Sequence, residues 1–301
     1  MSLVVLGSVA LDTIEIGGAR HKEVLGGSGT YAALAASLFV RPVSLVGIVG
    51  DDFPRKHLEM LESRGVDMEA VQVKAGLESF RWHGRYFDDC DRRETVSVTS
   101  ELLMEFDPEL PARVRACEWV LLGNSAPQLQ RRVLEQMESD AFVLLDTMDL
   151  WIRTERDALN DLLSRCDMLV LNEHEAEMLT GTKNVPRAAR LLAGRGARHV
   201  VVKKGSHGVT ALSDGRFHCL PAYPLERVED PTGAGDSFAG ALLGALAAAG
   251  GADERTLPAA LARATAVASL CCEAVGADAF ATTAADAIEE RFEKLRRVTD
   301  F

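Results

Sequence analysis

The sequence contains no apolar run long enough to cross a membrane, although hydrophobic residues make up 47% of its 301 residues. A spanning helix needs about 20 consecutive apolar residues, so we expect no membrane partner. The first residues, MSLVVLGSVALD, lack the charged leader and the cleavage site of a signal peptide. We interpret their hydrophobic residues as a first strand instead.

Basic residues are also few. The chain has 33 Lys and Arg against 45 Asp and Glu, which gives a net charge of −12. A nucleic-acid partner normally requires a basic face, so we expect none. A phosphate ligand is not excluded, because backbone amides can hold phosphate without lysine.

Two common nucleotide-binding motifs and the usual metal-binding patterns are absent. The sequence has no G-x-x-x-x-G-K-[ST], and no G-x-G-x-x-G follows its first apolar run. Its seven histidines show no ligand spacing, and its six cysteines include no C-x-x-C pair. The cysteines lie mostly among apolar residues, which is typical of reduced core thiols and favours a cytoplasmic location.

Short β-branched runs alternate with amphipathic stretches along most of the chain. Buried strands alternating with crossover helices predict an α/β fold with a mostly parallel central sheet and helices on both faces. No linker divides the chain, so we expect one domain over residues 1–301. The predicted strands are Leu3–Leu6, Val43–Val49, Trp119–Leu122, Phe142–Leu145, Met168–Leu171 and His199–Val202. The predicted helices are about 28–39, 53–64, 127–138, 154–165, 173–180, 186–195, 236–249 and 256–273.

One segment, from about 74 to 101, predicts strands with no helix between them. Its aromatic residues alternate with basic ones, as in a half-buried sheet, and a turn is expected in the polar DDCDRR stretch. With residues from about 10–27, we expect this segment to form a small β lid over the cleft, a dimer surface, or edge strands without a role. We favour the cleft for at least one of its aromatic residues, which are Phe80, Trp82 and Tyr86.

The strongest chemical signal is the segment from Asp230 to Gly240, DPTGAGDSFAG. Its glycines allow a tight turn that points several amides at one spot, and the residues from Ser237 onward are helical in pattern. An anion at such a helix start gains free N–H donors and the positive end of the helix dipole. Asp236 is either a helix cap or a catalytic carboxylate.

The DPT turn followed by GAGD resembles the C-terminal signature of the PfkB, or ribokinase-like, carbohydrate kinases. The N-terminal Gly-Gly motif, the lid and the order of strands and helices also fit that family over the whole chain. The resemblance implies a ribokinase-like fold and phosphoryl transfer from ATP with Mg²⁺. It also implies that Asp236 is the general base and that the amides of Gly233, Ala234 and Gly235 form an anion hole.

The same resemblance assigns a nucleotide side to the site. Asn172 and Glu175 match the family's N-x-x-E motif, which acts on Mg²⁺ and phosphate through water, although a helix cap would suit them equally. Lys203 is a candidate phosphate contact or else a surface lysine. Gly205 and Gly208 follow it and would let the loop pass close to the ribose.

The N-terminal half is expected to hold the phosphate acceptor. By resemblance, Asp12 accepts hydrogen bonds from acceptor hydroxyls, and Gly26 and Gly27 begin the family's G-G-x-x-x-N-x-A motif. Tyr31 stands where that motif has Asn, which argues against a ribose or fructose acceptor. Asn124 is a further candidate contact, placed by its position after a strand.

The resemblance also suggests a monovalent cation, K⁺. In many family members the turn before the anion hole binds such an ion with help from a C-terminal loop. Here the turn residues would be Asp230 and Thr232, and the loop would lie near Gly276.

Three functions remain open at this stage. A sugar or polyol kinase is the first, and a nucleoside kinase is the second, with Tyr31 or the lid aromatics stacking the base. A metabolite sensor without activity is hard to reconcile with an intact Asp236. An acceptor that already carries phosphate would need a basic cluster, and Arg81, Arg85, Arg92 and Arg93 either supply one or are solvated.

Overall fold

A large, mostly parallel sheet forms the centre of the molecule. The structure is a computed structural model, and it describes residues 2–87, 90, 92–138 and 140–299. Its strands, in chain order, are β1 (Leu3–Leu6), β2 (Ala10–Ile16), β3 (Ala19–Gly26), β4 (Val43–Gly50), β5 (Val66–Asp67), β6 (Val71–Lys74), β7 (Arg81–Tyr86), β8 (Arg93–Thr99), β9 (Trp119–Leu122), β10 (Phe142–Asp146), β11 (Met168–Asn172), β12 (His199–Lys203), β13 (Val209–Ser213) and β14 (Arg216–Leu220).

The main sheet has the strand order β14-β13-β12-β11-β10-β9-β1-β4-β5, with β6 also paired to β4. Every neighbouring pair from β12 through to β5 in this order is parallel, and so is the pair of β4 with β6. The pairs of β12 with β13 and of β13 with β14 are antiparallel. All six predicted strands are confirmed. Four of them extend one residue further than predicted. Three of the added residues, Asp146, Asn172 and Lys203, are polar and lie at the carboxyl edge, where parallel sheets bind ligands.

Helices cover both faces of this sheet, as predicted. Two apolar cores lie on its opposite sides. The helices are α1 (Ser28–Ala36), α2 (Arg55–Ser63), α3 (Glu101–Met104), α4 (Ala112–Arg115), α5 (Pro127–Gln136), α6 (Asp149–Thr154), α7 (Arg156–Leu163), α8 (Glu173–Thr180), α9 (Val185–Ala193), α10 (Ala234–Ala249), α11 (Leu257–Cys271), α12 (Ala279–Thr282) and α13 (Ala285–Thr299). Every predicted helix is present, but α3, α4, α6, α12 and α13 were not predicted. Within the described residues, no helix combines the length and the apolarity that a membrane span requires.

The second sheet is the expected lid, with the strand order β3-β2-β7-β8. The β7–β8 pair is antiparallel, whereas β7 joins β2 in parallel, with Trp82 opposite Asp12. The predicted lid segment begins at about residue 74, but Lys74 is the last residue of β6, which pairs with β4 in the main sheet. The predicted DDCDRR turn lies between β7 and β8, partly outside the described residues.

Two glycines allow α10 to approach α1 closely. An added Cβ on Gly240 would lie 2.1 Å from the carbonyl oxygen of Ala32, and one on Gly244 would lie 2.9 Å from that of Ala36. The left-handed Gly250, with a φ of 79°, ends α10 as predicted. The two helices therefore pack backbone to backbone, which fixes the position of the start of α10.

We expect Gly240→Ala to lower the free energy of unfolding by about 1–3 kcal/mol, because the added methyl group overlaps a main-chain oxygen that cannot move aside. The gain in helix propensity, about 1 kcal/mol, offsets only part of this cost. Urea denaturation measures the change. Gly251→Ala is the control, since its Cβ would meet nothing within 4 Å. Equal midpoints for the two variants would contradict the packing described.

Candidate active site

A cleft of about 710 Å³ lies between the lid and the carboxyl edge of the parallel strands. Of the residues proposed from the sequence, the cleft wall contains Asp12, Gly27, Tyr31, Asn124, Thr232, Gly233 and Asp236. The others are not part of its lining, and they are Gly26, Asn172, Glu175, Lys203, Gly205, Gly208, Asp230, Ala234 and Gly235. Four of the five residues predicted for the acceptor therefore line one cavity, with Asp236 in its wall.

The turn before α10 is held by the carboxylate of Asp230. This residue is completely buried. Its Oδ1 accepts the N–H of Thr232 at 2.9 Å, and its Oδ2 accepts the N–H of Gly276 at 2.8 Å. The expected proximity of Gly276 to this turn is confirmed, so one buried carboxylate joins the turn to the C-terminal loop.

Gly233 ends that turn in the left-handed region, with a φ of 76°. A Cβ at Gly233 would lie 2.4 Å from three ring carbons of Tyr31, so the tyrosine ring packs against the glycine backbone. Tyr31 is 1% exposed, and its hydroxyl has no hydrogen-bond partner among the described residues. The suggestion that Tyr31 stacks a base is therefore wrong, because the ring is buried against the turn.

The three amides assigned to the anion hole are not equivalent. The N–H of Ala234 donates to the carbonyl oxygen of Pro231 at 3.2 Å. The amides of Gly233 and Gly235 make no such bond within the described part of the chain. These two amides, at the positive end of the 16-residue helix α10, are the ones available to an anion.

Asp236 is the third residue of α10, and its side chain is partly exposed in the cleft. It is not the helix cap, since Gly233 occupies that position and no side chain caps the helix. Burial, together with the charge of Asp146, raises the pKa of Asp236 to about 6, although Lys203 and Arg93 oppose the shift. The carboxylate is thus poised to take up a proton near neutral pH.

Lys203 is not a surface lysine. Its side chain is 18% exposed, and its Nζ lies 3.3 Å from Oδ2 of Asp146 and 3.4 Å from the carbonyl oxygen of Gly235. Burial alone would lower the pKa of Lys203, but the carboxylates of Asp146, Glu175 and Asp236 outweigh it and raise the pKa. The lysine therefore keeps its charge beside the start of α10.

Asp146 was missed in the sequence. It is 3% exposed at the end of β10, and it is the ion-pair partner of Lys203. In the sequence, Asp146 is only a carboxylate that follows an apolar run. Its role becomes visible through Lys203, which lies 57 positions further along the chain.

Asn172 and Glu175 form the capping box of α8. The side chain of Asn172 accepts the N–H of Glu175 at 2.9 Å, and the side chain of Glu175 accepts the N–H of Asn172 at 2.7 Å. Burial, partly opposed by the charge of Lys203, raises the pKa of Glu175 to about 7. The structural role is confirmed. A role towards Mg²⁺ stays a prediction.

Asp12 lies on the cleft face of the lid. Its carboxylate packs against Gly26, where an added Cβ would lie 2.0 Å from Oδ2, and its Oδ1 has no partner in the described residues. Burial, then the charges of Asp230 and Asp236, raise the pKa of Asp12 to about 8. Gly27, with a φ of 96°, must also be glycine, because its Cβ would lie 2.4 Å from the carbonyl oxygen of Ser8.

Asn124 reaches the cleft, but its side-chain oxygen is occupied. Oδ1 of Asn124 accepts the indole N–H of Trp151 at 2.8 Å. Trp151 lines the cleft from α6 and was missed, because that short helix was not predicted.

The lid aromatics face the cleft, as favoured from the sequence. Phe80 and Trp82 line it, and Trp82 donates to Oγ1 of Thr95 at 3.2 Å. Tyr86 packs edge-on against Trp82, and its hydroxyl accepts a hydrogen bond from Oγ1 of Thr232 at 3.0 Å. The lid is thereby tied to the turn before α10.

The four arginines of the lid do not form a phosphate-binding cluster. Arg81 pairs with Asp52 at 2.6 Å and Arg85 pairs with Glu15 at 2.7 Å. Arg92 lies over the ring of Phe87. Arg93 alone among these four lines the cleft.

Gly205 and Gly208 flank the turn that follows β12. Gly205 is exposed with a φ of 53°, and nothing lies near its missing side chain. Gly208, with a φ of 81°, packs against the carbonyl oxygen of Leu220, which a Cβ would approach to 2.1 Å. Packing therefore explains Gly208, and nucleotide contact by either glycine stays a prediction.

The model of the pfkB family carbohydrate kinases matches residues 2–284. The chain belongs to this family. Its curated relatives in the family are kinases, so the chain is a phosphotransferase.

The relatives differ in their acceptors. A cytidine kinase of Thermococcus kodakarensis is 32% identical over 248 residues, which is 81% of this chain and 87% of that protein. A 2-dehydro-3-deoxygluconokinase of Thermoproteus tenax is 28% identical over 268 residues, which is 80% of each chain.

A solved structure agrees with the fold. A ribokinase II candidate from E. coli, in complex with ATP and Mg²⁺, superposes with a TM-score of 0.80 at 19% identity. The match covers 98% of this chain and 100% of that chain. The fold is therefore ribokinase-like.

The raised pKa of Asp236 gives a pH prediction. A carboxylate accepts a proton only when it is deprotonated, so protonation of Asp236 at about pH 6 would remove a general base at this position. We expect kcat/KM to fall about tenfold per pH unit below that midpoint. Asp12, with a pKa of about 8, is already protonated there and cannot cause this limb. Circular dichroism at each pH controls for unfolding, and a midpoint near the ordinary aspartate value of about 4 would contradict the assignment.

Proposed function

We propose that the chain transfers the γ-phosphoryl group of ATP to a hydroxyl of a sugar or polyol. The observation that carries the proposal is the position of Asp236. Its carboxylate lies in the wall of the cleft that also contains Asp12, directly beside the amides at the start of α10. A base and an anion site side by side are what transfer of a phosphoryl group to a hydroxyl requires.

The residues of the site then take distinct roles. Asp236 accepts the hydroxyl proton as the new O–P bond forms. The amides of Gly233 and Gly235 stabilise the negative charge on the transferred group without rearranging, because α10 holds them in place. Lys203 adds a positive charge on the same side, fixed by its ion pair with Asp146.

Mg²⁺ fits this site as an ion carried by the nucleotide. Within the described residues, no three His, Cys, Asp or Glu side chains form a cluster that could hold a metal. Mg²⁺ commonly binds through phosphates, waters and one or two carboxylates rather than in a protein cage. Glu175, with Asn172 beside it, is the residue we assign to a water-mediated contact. The ion supplies charge neutralisation when it is bound.

The acceptor is held on the lid side. The unpartnered Oδ1 of Asp12 is available to an acceptor hydroxyl, and the glycine pair Gly26–Gly27 keeps the carboxylate in position. A nucleoside is the second candidate acceptor, because the aromatic residues Phe80, Trp82 and Trp151 line the same cleft. A sensor without activity would need neither the base nor the anion site.

Three further properties belong to this proposal. We place the reaction in the cytoplasm, since Cys166 and Cys271 are buried thiols outside any disulfide. Acceptors that already carry phosphate are disfavoured by the pairing of Arg81 and Arg85 with acids. We retain a homodimer through the lid as a prediction, which light scattering tests.

Asp236→Asn should lower kcat by about 10²–10⁴, the usual loss when a general base is removed. Folding and ATP binding should change little, because the amide is nearly isosteric. ADP release measures the rate, and circular dichroism measures the fold. Asp161→Asn, at an exposed position on α7, is the matched control. Activity of the Asp236 variant within a few-fold of the unchanged chain would remove Asp236 from the base role.

K⁺ should raise the rate. Asp230 is a buried carboxylate that forms no ion pair with the described residues, and a cation near it and Thr232 would offset that charge. The measurement compares kcat in potassium chloride with kcat in tetramethylammonium chloride at equal ionic strength. Equal rates in both salts would count against a cation site at this turn.

A further inference from the structure

The indole of Trp151 is fixed in the cleft wall by a hydrogen bond. Its Nε1 donates to Oδ1 of Asn124 at 2.8 Å. The backbone oxygen of Asn124 in turn accepts the hydroxyl of Ser28 at 3.1 Å. The ring is therefore attached both to the end of β9 and to the start of α1, beside Gly27.

The wall around this ring is largely apolar. Phe80 and Trp82 contribute to it from the lid, and Leu103, Met104, Phe106, Leu129, Met148 and Leu150 from the main domain. Met104 and Leu150 are exposed to 87% and 45%, and Val98 at the lid edge of the same cleft is exposed to 49%. Large apolar side chains left exposed around one cleft indicate a ligand with an apolar face.

A free sugar or polyol does not match such a wall, because hydroxyl groups cover its surface. The same cleft contains the carboxylates of Asp12 and Asp236, which suit hydroxyl groups. Among the other charged residues of the lining, Arg153 pairs with Asp149 at 3.5 Å, and Arg93 lies over the ring of Trp82. The cleft thus combines carboxylates that suit a sugar with aromatic and apolar side chains that suit an attached ring.

We propose that Trp151, positioned by Asn124, sets the acceptor specificity by stacking against a planar heterocyclic substituent on the acceptor sugar. This inference rests on the proposed kinase function and narrows its acceptor to the second candidate, a sugar that carries a base. Trp151 touches the acceptor in this account, whereas Asn124 is a positioning residue that acts through the indole.

The test compares cytidine and adenosine with ribose and 2-deoxyribose as acceptors for the full chain. Alanine substitution of a stacking aromatic weakens base binding by about 5- to 150-fold. Trp151→Ala should therefore raise the KM for nucleosides by about that factor while the KM for ATP stays constant. Trp151→Phe retains a ring and should restore most of the affinity. Asn124→Asp keeps an acceptor for the indole N–H and should resemble the unchanged chain, unlike Asn124→Leu.

Tryptophan fluorescence provides a reading that does not require turnover. Nucleosides added without ATP should change the emission, and Trp151→Phe should remove most of this response. Trp119→Phe is the control, because Trp119 is buried in the core of the main sheet and is not part of the cleft lining. If Trp151→Ala fails to fold, the fluorescence measurement still tests the proposal with Trp151→Phe and with the two Asn124 variants.

The outcomes separate the two claims. Higher kcat/KM for free sugars than for nucleosides, with no effect of Trp151→Ala, would overturn the specificity role while leaving the kinase assignment intact. A nucleoside response at Trp151 without phosphoryl transfer to any acceptor would overturn the proposed function but support the stacking site. No fluorescence response to any nucleoside would overturn the stacking site.

Discussion

The buried carboxylate of Asp230 is the constraint on which the site depends. Its two oxygens accept the amides of Thr232 and Gly276, so the turn before α10 and the C-terminal loop are held together. Because the turn is fixed, Gly233 can take its left-handed conformation and place the first amides of α10 at the cleft. The close packing of α10 on α1 then fixes the rest of the helix, and Asp236 with it.

The sequence predicted the features that are local in the chain. The six central strands were predictable because parallel strands buried on both faces give continuous apolar runs. The roles of Asp236 and the GAGD turn were suggested by a short contiguous motif, and that motif also indicated the family. The lid was predicted from the alternation of Phe80, Trp82 and Tyr86 with basic residues. The parallel pairing of β7 with β2 was not predicted, because strand partners far apart in the chain leave no local pattern.

The remaining parts of the site depend on tertiary contacts. Asp146 becomes recognisable only beside Lys203, and Trp151 only once its indole is seen to meet Asn124. Tyr31 shows the converse error. The sequence showed that it replaces an Asn of the family motif, but not that the start of α10 would bury its ring. Backbone contacts of this kind are invisible in a single sequence, because the glycine that permits them carries no side chain.

The hydrogen bond between Thr232 and Tyr86 bears on the timing of the catalytic cycle. It joins the lid to the turn that carries the anion site, so a closed lid and an ordered turn stabilise one another. Movement of β7 away from this turn has to break the contact. Because lid motions of this type take microseconds to milliseconds, we expect the residence time of a bound product to depend on the opening of the lid as well as on its own affinity.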